Sequence, residues 1–245
     1  MIRKFAKHLF QLFDYEIVGT PRAYATQRSL LGLLQQEDIN LVLDVGANTG
    51  QFVADLRAAG YSGRVISFEP LASAHAALCK HAERDPNWKI ADRTAIGAEP
   101  GSANMHISGN SVSSSLLEIL PSHSDAEPQS SYVGSETVPV TRLDDLYVPI
   151  HEDRVLLKID VQGYERQVLQ GARKVLDHSR AIICEMSLIP LYDGQVLARE
   201  MWDLLAAQNF EAWSLEPCYR NPTTGRMLQV DGVFVRKGEE PAAKP

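Results

Sequence analysis

The chain has 245 residues with 24 basic and 31 acidic side chains, for a formal net charge of −7. One complete α/β core fits that length, and the acidic balance excludes nucleic acid as the main partner, since phosphate contacts need a basic face. No apolar run is long enough to span a bilayer, and Cys79, Cys184 and Cys218 have neither disulfide-framework nor metal-type spacing.

Residues 2–13 read as a short amphipathic helix. Ile2, Phe5, Ala6, Leu9 and Phe13 recur with helical period, while Arg3, Lys4 and Lys7 add positive charge with no acid among them. Such a face suits a lid on the rest of the chain, or peripheral contact with an anionic membrane surface. The segment lacks the apolar core and cleavage site of a secretion signal, so the expected location is the cytoplasm. Gly19-Thr20-Pro21 breaks the pattern, and a second helix is expected over Tyr24–Gln36. Residues 1–38 thus read as a helical extension, residues 39–237 as the main domain and residues 238–245 as a disordered tail.

The main domain opens on the apolar strand Leu41–Val45, which carries Asp44. The turn Gly46-Ala47-Asn48-Thr49-Gly50 then leads into a helix over 50–59. A second strand over 64–68 ends in Glu69, nineteen residues after Gly50. This is the pattern of a nucleotide-cofactor half-site: glycines let the backbone approach the ligand, and the distal acid accepts ribose hydroxyl protons. Asp44 would repel the pyrophosphate that a dinucleotide places at this turn. It would attract the ammonium and sulfonium of S-adenosylmethionine, which favours that cofactor over a nicotinamide one. A helix over 72–83 and a short strand near 88–92 follow. Apolar strands alternating with helices imply a parallel sheet covered on both faces.

Residues 101–137 are rich in Ser, Gly, Asn and Pro. They predict a strand near Ala103–Ile107 and then a substrate-facing loop through Ser111-Val112-Ser113-Ser114-Ser115. Val138–Thr141 and a short helix at Leu143–Tyr147 return the chain to the sheet. Strand Val155–Ile159, helix Glu165–Leu176, strand Ala181–Cys184 and helix Val196–Gln208 come next. The last strands, Phe210–Leu215 and Val230–Arg236, are joined by a hairpin-length link and should pair antiparallel. Tyr15, Tyr24 and Tyr132 are candidates to cover a ligand ring. Trp202 and Trp213 fall within regular elements and read as core.

Open α/β sheets bind ligands at the carboxyl ends of their strands. Asp44, Glu69, Asp160, Glu185 and Asp231 all fall at that edge. Asp160 reads either as a functional acid or as the start residue of the next helix. Lys158, inside an apolar strand, is costly unless paired, and Glu165 or Glu185 is the expected partner. Taking the proton of a hydroxyl calls for a base. Asp160 is the first candidate, with His106 and His123, flanking the serine-rich loop, as rivals. A divalent cation held by Asp160, Glu185 and Asp231 is a less favoured way of activating the hydroxyl.

Between Leu41 and Arg236 the chain resembles the FkbM family of S-adenosylmethionine-dependent methyltransferases. The resemblance rests on Asp44-Val45-Gly46-Ala47-Asn48-Thr49-Gly50, Phe68-Glu69-Pro70, Ala95-Ile96-Gly97, the serine run 113–115, Val140-Thr141-Arg142-Leu143-Asp144-Asp145-Leu146 and Leu157-Lys158-Ile159-Asp160-Val161-Gln162-Gly163-Tyr164-Glu165. It implies a class I methyltransferase fold: a Rossmann-like, mostly parallel sheet of seven strands with an antiparallel last strand. It further implies that Asp44, Gly46, Asn48, Gly50, Glu69 and Pro70 hold S-adenosylmethionine. Asp160, Lys158 and Glu165 would then form the transfer site, with no resident metal. The implied acceptor is a hydroxyl of a small-molecule or lipid-linked sugar, of rhamnosyl or fucosyl type. A histidine that often follows the strand-five glutamate in this family is replaced here by Met186-Ser187. A polyketide, phenol or amine acceptor, a nicotinamide-dependent dehydrogenase and a non-catalytic cofactor-binding protein are the competing readings.

Overall fold

The computed structural model describes residues 30–238. The expected helix at 2–13 with its membrane contact, Tyr15, Tyr24, and the tail after residue 238 lie outside the described residues. Helix α1, described over residues 30–36, buries Leu33 and Leu34 against the sheet. Ten strands follow: β1 (Leu41–Val45), β2 (Arg64–Phe68), β3 (Trp88–Ile90), β4 (Ala95–Ile96), β5 (Gly101–Ser108), β6 (Tyr132–Thr141), β7 (Val155–Ile159), β8 (Ser179–Ser187), β9 (Phe210–Arg220) and β10 (Met227–Arg236). Between them run helices α2 (Gln51–Ala59), α3 (Ala72–Ala82), α4 (Pro121–Ser124), α5 (Leu143–Leu146), α6 (Glu165–Gln170), α7 (Arg173–His178) and α8 (Ala198–Ala207).

β1 and β7 are buried at every residue, so they must lie at the centre of a sheet covered on both faces. They do: the main sheet has seven strands in the order β3-β2-β1-β7-β8-β10-β9. The first five pair in parallel, and β10 runs antiparallel between β8 and β9. Alternate residues of the central strands point to opposite faces. Leu41, Leu43, Leu157 and Ile159 enter one core, and Val42 and Leu156 the other, beneath α1 and α2. The seven strands and the antiparallel member are those that the family resemblance implies.

Three local expectations need correction. The span 101–137 is not mainly loop: β5 and β6 form a long antiparallel pair, and with β4 they make a separate three-stranded sheet. β6 is exposed along most of its length and buries only Val138 and Val140, so the residues before Val138 hid the first half of a strand expected only from there. The helix expected over Glu165–Leu176 is broken into α6 and α7 at Gly171-Ala172. A Cβ on Gly171 would collide with the Gly97 carbonyl, so the backbone there is pressed against a neighbouring loop. Lastly, β8 extends to Ser187, which puts Glu185 inside a strand rather than after it.

Candidate active site

The strand order reverses between β1 and β7, which opens a crevice at their carboxyl ends. Two turns meet there. Gly46 has φ +78, and a Cβ on it would overlap the Asp160 carbonyl, so only glycine lets the turns touch. Asn48 also has a positive φ, 47°, tolerated because its own side chain accepts the Thr49 N–H at 2.8 Å.

The Asn48 N–H donates to Glu69 Oε2 at 2.8 Å, and the Leu71 N–H donates to Oε1 at 2.9 Å. Glu69 is thereby fixed just past β2 with lone pairs still available to ligand hydroxyls. Burial pushes its carboxyl above the ordinary range, while those two N–H bonds favour the charged form. Around these turns lies a cavity of about 630 Å³, within the usual size of a small-ligand pocket. Gly46, Asn48, Glu69 and Pro70 line it, as does the serine loop through Ser111 and Ser114.

Asp44 and Gly50, expected to touch the cofactor, do not line the cavity. A Cβ on Gly50 would strike Trp88 and Leu78, so this glycine serves helix packing at φ +94. Asp44 is fully buried, accepts the Ser67 hydroxyl at 2.9 Å and lies 3.2 Å from the Lys158 ammonium. Its charge is met by a lysine inside the protein and is not presented to a ligand. That pair also corrects the expected partner of Lys158, which is neither Glu165 nor Glu185. The ammonium donates to the Gly46 carbonyl at 2.9 Å and lies 3.5 Å from Asp160 Oδ2. Burial opposes the lysine charge, but Asp44 and then Asp160 hold it above the ordinary lysine range.

Asp160 lines the cavity and is no helix start, since the residue before α6 is Tyr164. Glu165 is buried away from the cavity. Its Oε1 accepts the Gly163 N–H at 2.9 Å and the Val161 N–H at 3.3 Å, so it braces the turn that carries Asp160. Burial pushes the Glu165 carboxyl up to about 7.

Beside Asp160 the cavity wall is acidic. Glu185 on β8 pairs in register with Asp231 on β10, which also faces Glu216 on β9. Glu185 Oε2 accepts two amide N–H bonds, from Gln162 and Gln229, each 2.7 Å. Burial, with the nearby Asp160 charge, pushes Asp231 up to about 7 and Glu185 in the same direction. Glu185, Cys218 and Asp231 bring ligand atoms within 4.8 Å of one another, a group that does not include Asp160. A thiol among the three donors makes a poor set for a hard cation.

The rival bases fall elsewhere. His106 stacks on Tyr132 with ring centroids 4.7 Å apart and sits 3.2 Å from Glu118. His123 is buried against Tyr192, and burial lowers it to about 4. Tyr132 does not line the cavity; its hydroxyl donates to the Leu117 carbonyl at 2.5 Å. Trp202 and Trp213 are not core residues: they are 40% and 39% exposed, and Trp213 lines the cavity. Sequence reasoning does not find Gln162, Gln229 or Glu216. Gln162 lies inside one of the family-like motifs, but amide side chains in a sequence carry no mark of their partners.

A seven-stranded sheet with one antiparallel strand, a glycine turn after β1 and an acid after β2 define a class I methyltransferase fold. The chain belongs to the FkbM methyltransferase family, whose Methyltransferase FkbM domain matches residues 44–212. It is therefore an enzyme, a methyltransferase. It is 27% identical over 185 residues to the 2-O-methyltransferase NoeI of Sinorhizobium fredii, covering 73% of this chain and 75% of that one. Among solved structures it is similar to the 1,6-didemethyltoxoflavin-N1-methyltransferase of Burkholderia thailandensis, at 12% identity and a TM-score of 0.47, covering 96% and 87% of the two chains. A rRNA methylase from Streptococcus thermophilus matches at 13% identity and a TM-score of 0.48, covering 89% and 98%. No helix among the described residues is long and apolar enough to cross a membrane.

Proposed function

We propose that the protein transfers a methyl group from S-adenosylmethionine to a hydroxyl of a sugar, free or lipid-linked. The observation that carries this reading is one continuous cavity joining a nucleoside cradle, Gly46, Asn48 and Glu69, to the carboxylates Asp160, Glu185 and Asp231. Similarity to a 2-O-methyltransferase supports an oxygen as the acceptor atom. When bound, S-adenosylmethionine supplies a methyl on positively charged sulfur, open to in-line displacement.

The protein's residues do the rest. Glu69 would accept hydrogen bonds from the ribose hydroxyls, and the Gly46 turn would let the backbone lie against the ligand. Lys158, held between Asp44 and Asp160, fixes the Asp160 carboxylate at the junction of the two halves of the cavity. Asp160 would accept the proton of the acceptor hydroxyl as its oxygen bonds to the methyl carbon and the carbon–sulfur bond breaks, leaving the neutral thioether S-adenosylhomocysteine. Loss of that proton makes a poor nucleophile competent near neutral pH. Glu185 and Asp231 hold neighbouring hydroxyls, as carboxylates lining a wall do for a polyol. Alignment and exclusion of water supply much of the remaining rate.

Labelled-methyl transfer tests it. Methyl α-L-fucopyranoside or methyl α-L-rhamnopyranoside should take up label, and Asp160→Asn should lose about 100-fold in turnover while binding S-adenosylhomocysteine normally. Label transferred only to catechol or to an amine would replace the sugar with that acceptor class. Unchanged turnover in Asp160→Asn would remove it as the base, and turnover abolished by chelation and restored by magnesium would favour a metal-held acceptor.

A further inference from the structure

Gln162 takes up an unusual position. Its φ of +54 lies in the left-handed region, which costs a non-glycine residue roughly 1 kcal/mol or more and which the structure around it must enforce. The residue is 9% exposed and its side-chain amide is fully engaged. Nε2 donates to Asp160 Oδ1 at 2.9 Å and to Glu185 Oε2 at 2.7 Å. Oε1 faces the Tyr192 hydroxyl at 2.8 Å, and that hydroxyl is also 3.1 Å from the Ser113 carbonyl. The backbone carbonyl of Gln162 accepts the Ser115 hydroxyl at 2.6 Å. In this orientation the amide nitrogen meets the two acids and the amide oxygen meets a hydroxyl that can donate to it.

We propose that Gln162 is a positioning residue for methyl transfer: its amide bridges Asp160 beside the cofactor cradle to Glu185 on the acceptor wall, and Tyr192 and Ser115 lock that bridge to the serine loop. The inference rests on the function proposed above in placing the acceptor beside those acids. An amide suits the place for a stated reason. It offers two N–H donors to two acceptors and adds no charge to a rim already lined by Asp160, Glu185, Glu216 and Asp231. Methionine would keep the shape and lose both donors. Glutamate would set a third carboxylate against the two it now serves. Exchanging the pair, Gln162→Glu together with Glu185→Gln, would restore a donor facing an acceptor. The new carboxylate would still lie against Asp160, which keeps the recovery partial.

The test compares wild type, Gln162→Met, Gln162→Glu and the double variant Gln162→Glu/Glu185→Gln. Methyl transfer to methyl α-L-fucopyranoside is read as kcat and KM, and calorimetry reads S-adenosylhomocysteine binding. Gln162→Met should lower kcat about 10- to 100-fold with cofactor affinity held within about threefold. Gln162→Glu should fall further, and the double variant should recover at least about tenfold over it. A residue with only a packing role would lower stability and kcat together and show no such recovery. In acceptor-free wild type, NMR should show the Gln162 side-chain amide protons exchanging slowly with water, and their resonances should move in Glu185→Gln. Wild-type kcat in Gln162→Met, no recovery in the double variant, or amide protons exchanging as in an exposed glutamine would each overturn the proposal. Wild type that ignores both the fucoside and the rhamnoside overturns the sugar reading instead, and the amide measurement still decides the bridge. Should Gln162→Met fail to fold, the comparison of Gln162→Glu with the double variant decides it.

Discussion

At the scale of single residues, Asp44 illustrates how a charge can be read correctly and its purpose misread. A carboxylate beside the glycine turn does matter, but it matters to Lys158. Removing one member of a buried pair leaves the other uncompensated, so Asp44→Ala should destabilise the fold by about 3–5 kcal/mol in urea unfolding. A variant of unchanged stability but weakened cofactor binding would restore the ligand role. Glu69 is the opposite case, since it lines the cavity and holds two backbone N–H groups in place. Glu69→Gln should weaken S-adenosylhomocysteine binding by about 1.5–3 kcal/mol, the worth of a charge-assisted contact. Calorimetry on the folded variant reads this directly.

At the scale of elements, the turn from Asp160 to Glu165 is the device that aims the site. Gln162 and Gly163 both have positive φ, and the Glu165 carboxylate spans the turn by accepting two of its N–H groups. That brace carries a pH signature. Its folded value of about 7 lies above the ordinary 4.5, so the folded state holds an extra proton between those limits. The stability associated with the neutral form is complete below about pH 4.5 and lost as pH rises through 7. The difference amounts to roughly 3 kcal/mol. Urea unfolding at pH 5 and pH 8 should show wild type losing that much more than Glu165→Gln. Equal losses in the two proteins would place the proton elsewhere. The partner turn is equally constrained: Gly46→Ala forces apart the loops after β1 and β7, and should abolish cofactor binding or prevent folding, read by calorimetry and circular dichroism.

At the scale of the whole molecule, the cofactor cradle is assembled from turns after β1 and β2 and from the serine loop, parts far apart in the chain. A ligand that fits all of them binds only the folded state. S-adenosylhomocysteine at 100 times its Kd should add about 2.7 kcal/mol of stability, a rise in Tm of roughly 5–10 °C. NAD at the same concentration should add none, and a larger shift with NAD would overturn the cofactor assignment.

The order of the main strands and helices and the motifs at the carboxyl edge of the sheet were determined by the sequence itself. They follow from local physics: short apolar runs broken by a single charge, such as Leu41–Val45 and Val155–Ile159, suit central strands buried on both faces, and glycine at 46 marks a backbone that no side chain could share. Lys158, a charge in such a run, announced a buried pair without naming the partner. Only the tertiary structure decided that the partner is Asp44, because parallel register sets residues 44 and 158 side by side on neighbouring strands. The same holds for Glu185, Asp231 and Glu216, which the antiparallel register of β8, β10 and β9 brings together from distant positions. It holds as well for the first half of β6, residues 132–137, which carry no apolar alternation and are strand only because β5 pairs with them. Apolar periodicity is a local signal, read along the chain, whereas hydrogen bonds and ion pairs between strands depend on register, which exists only once the strands have met.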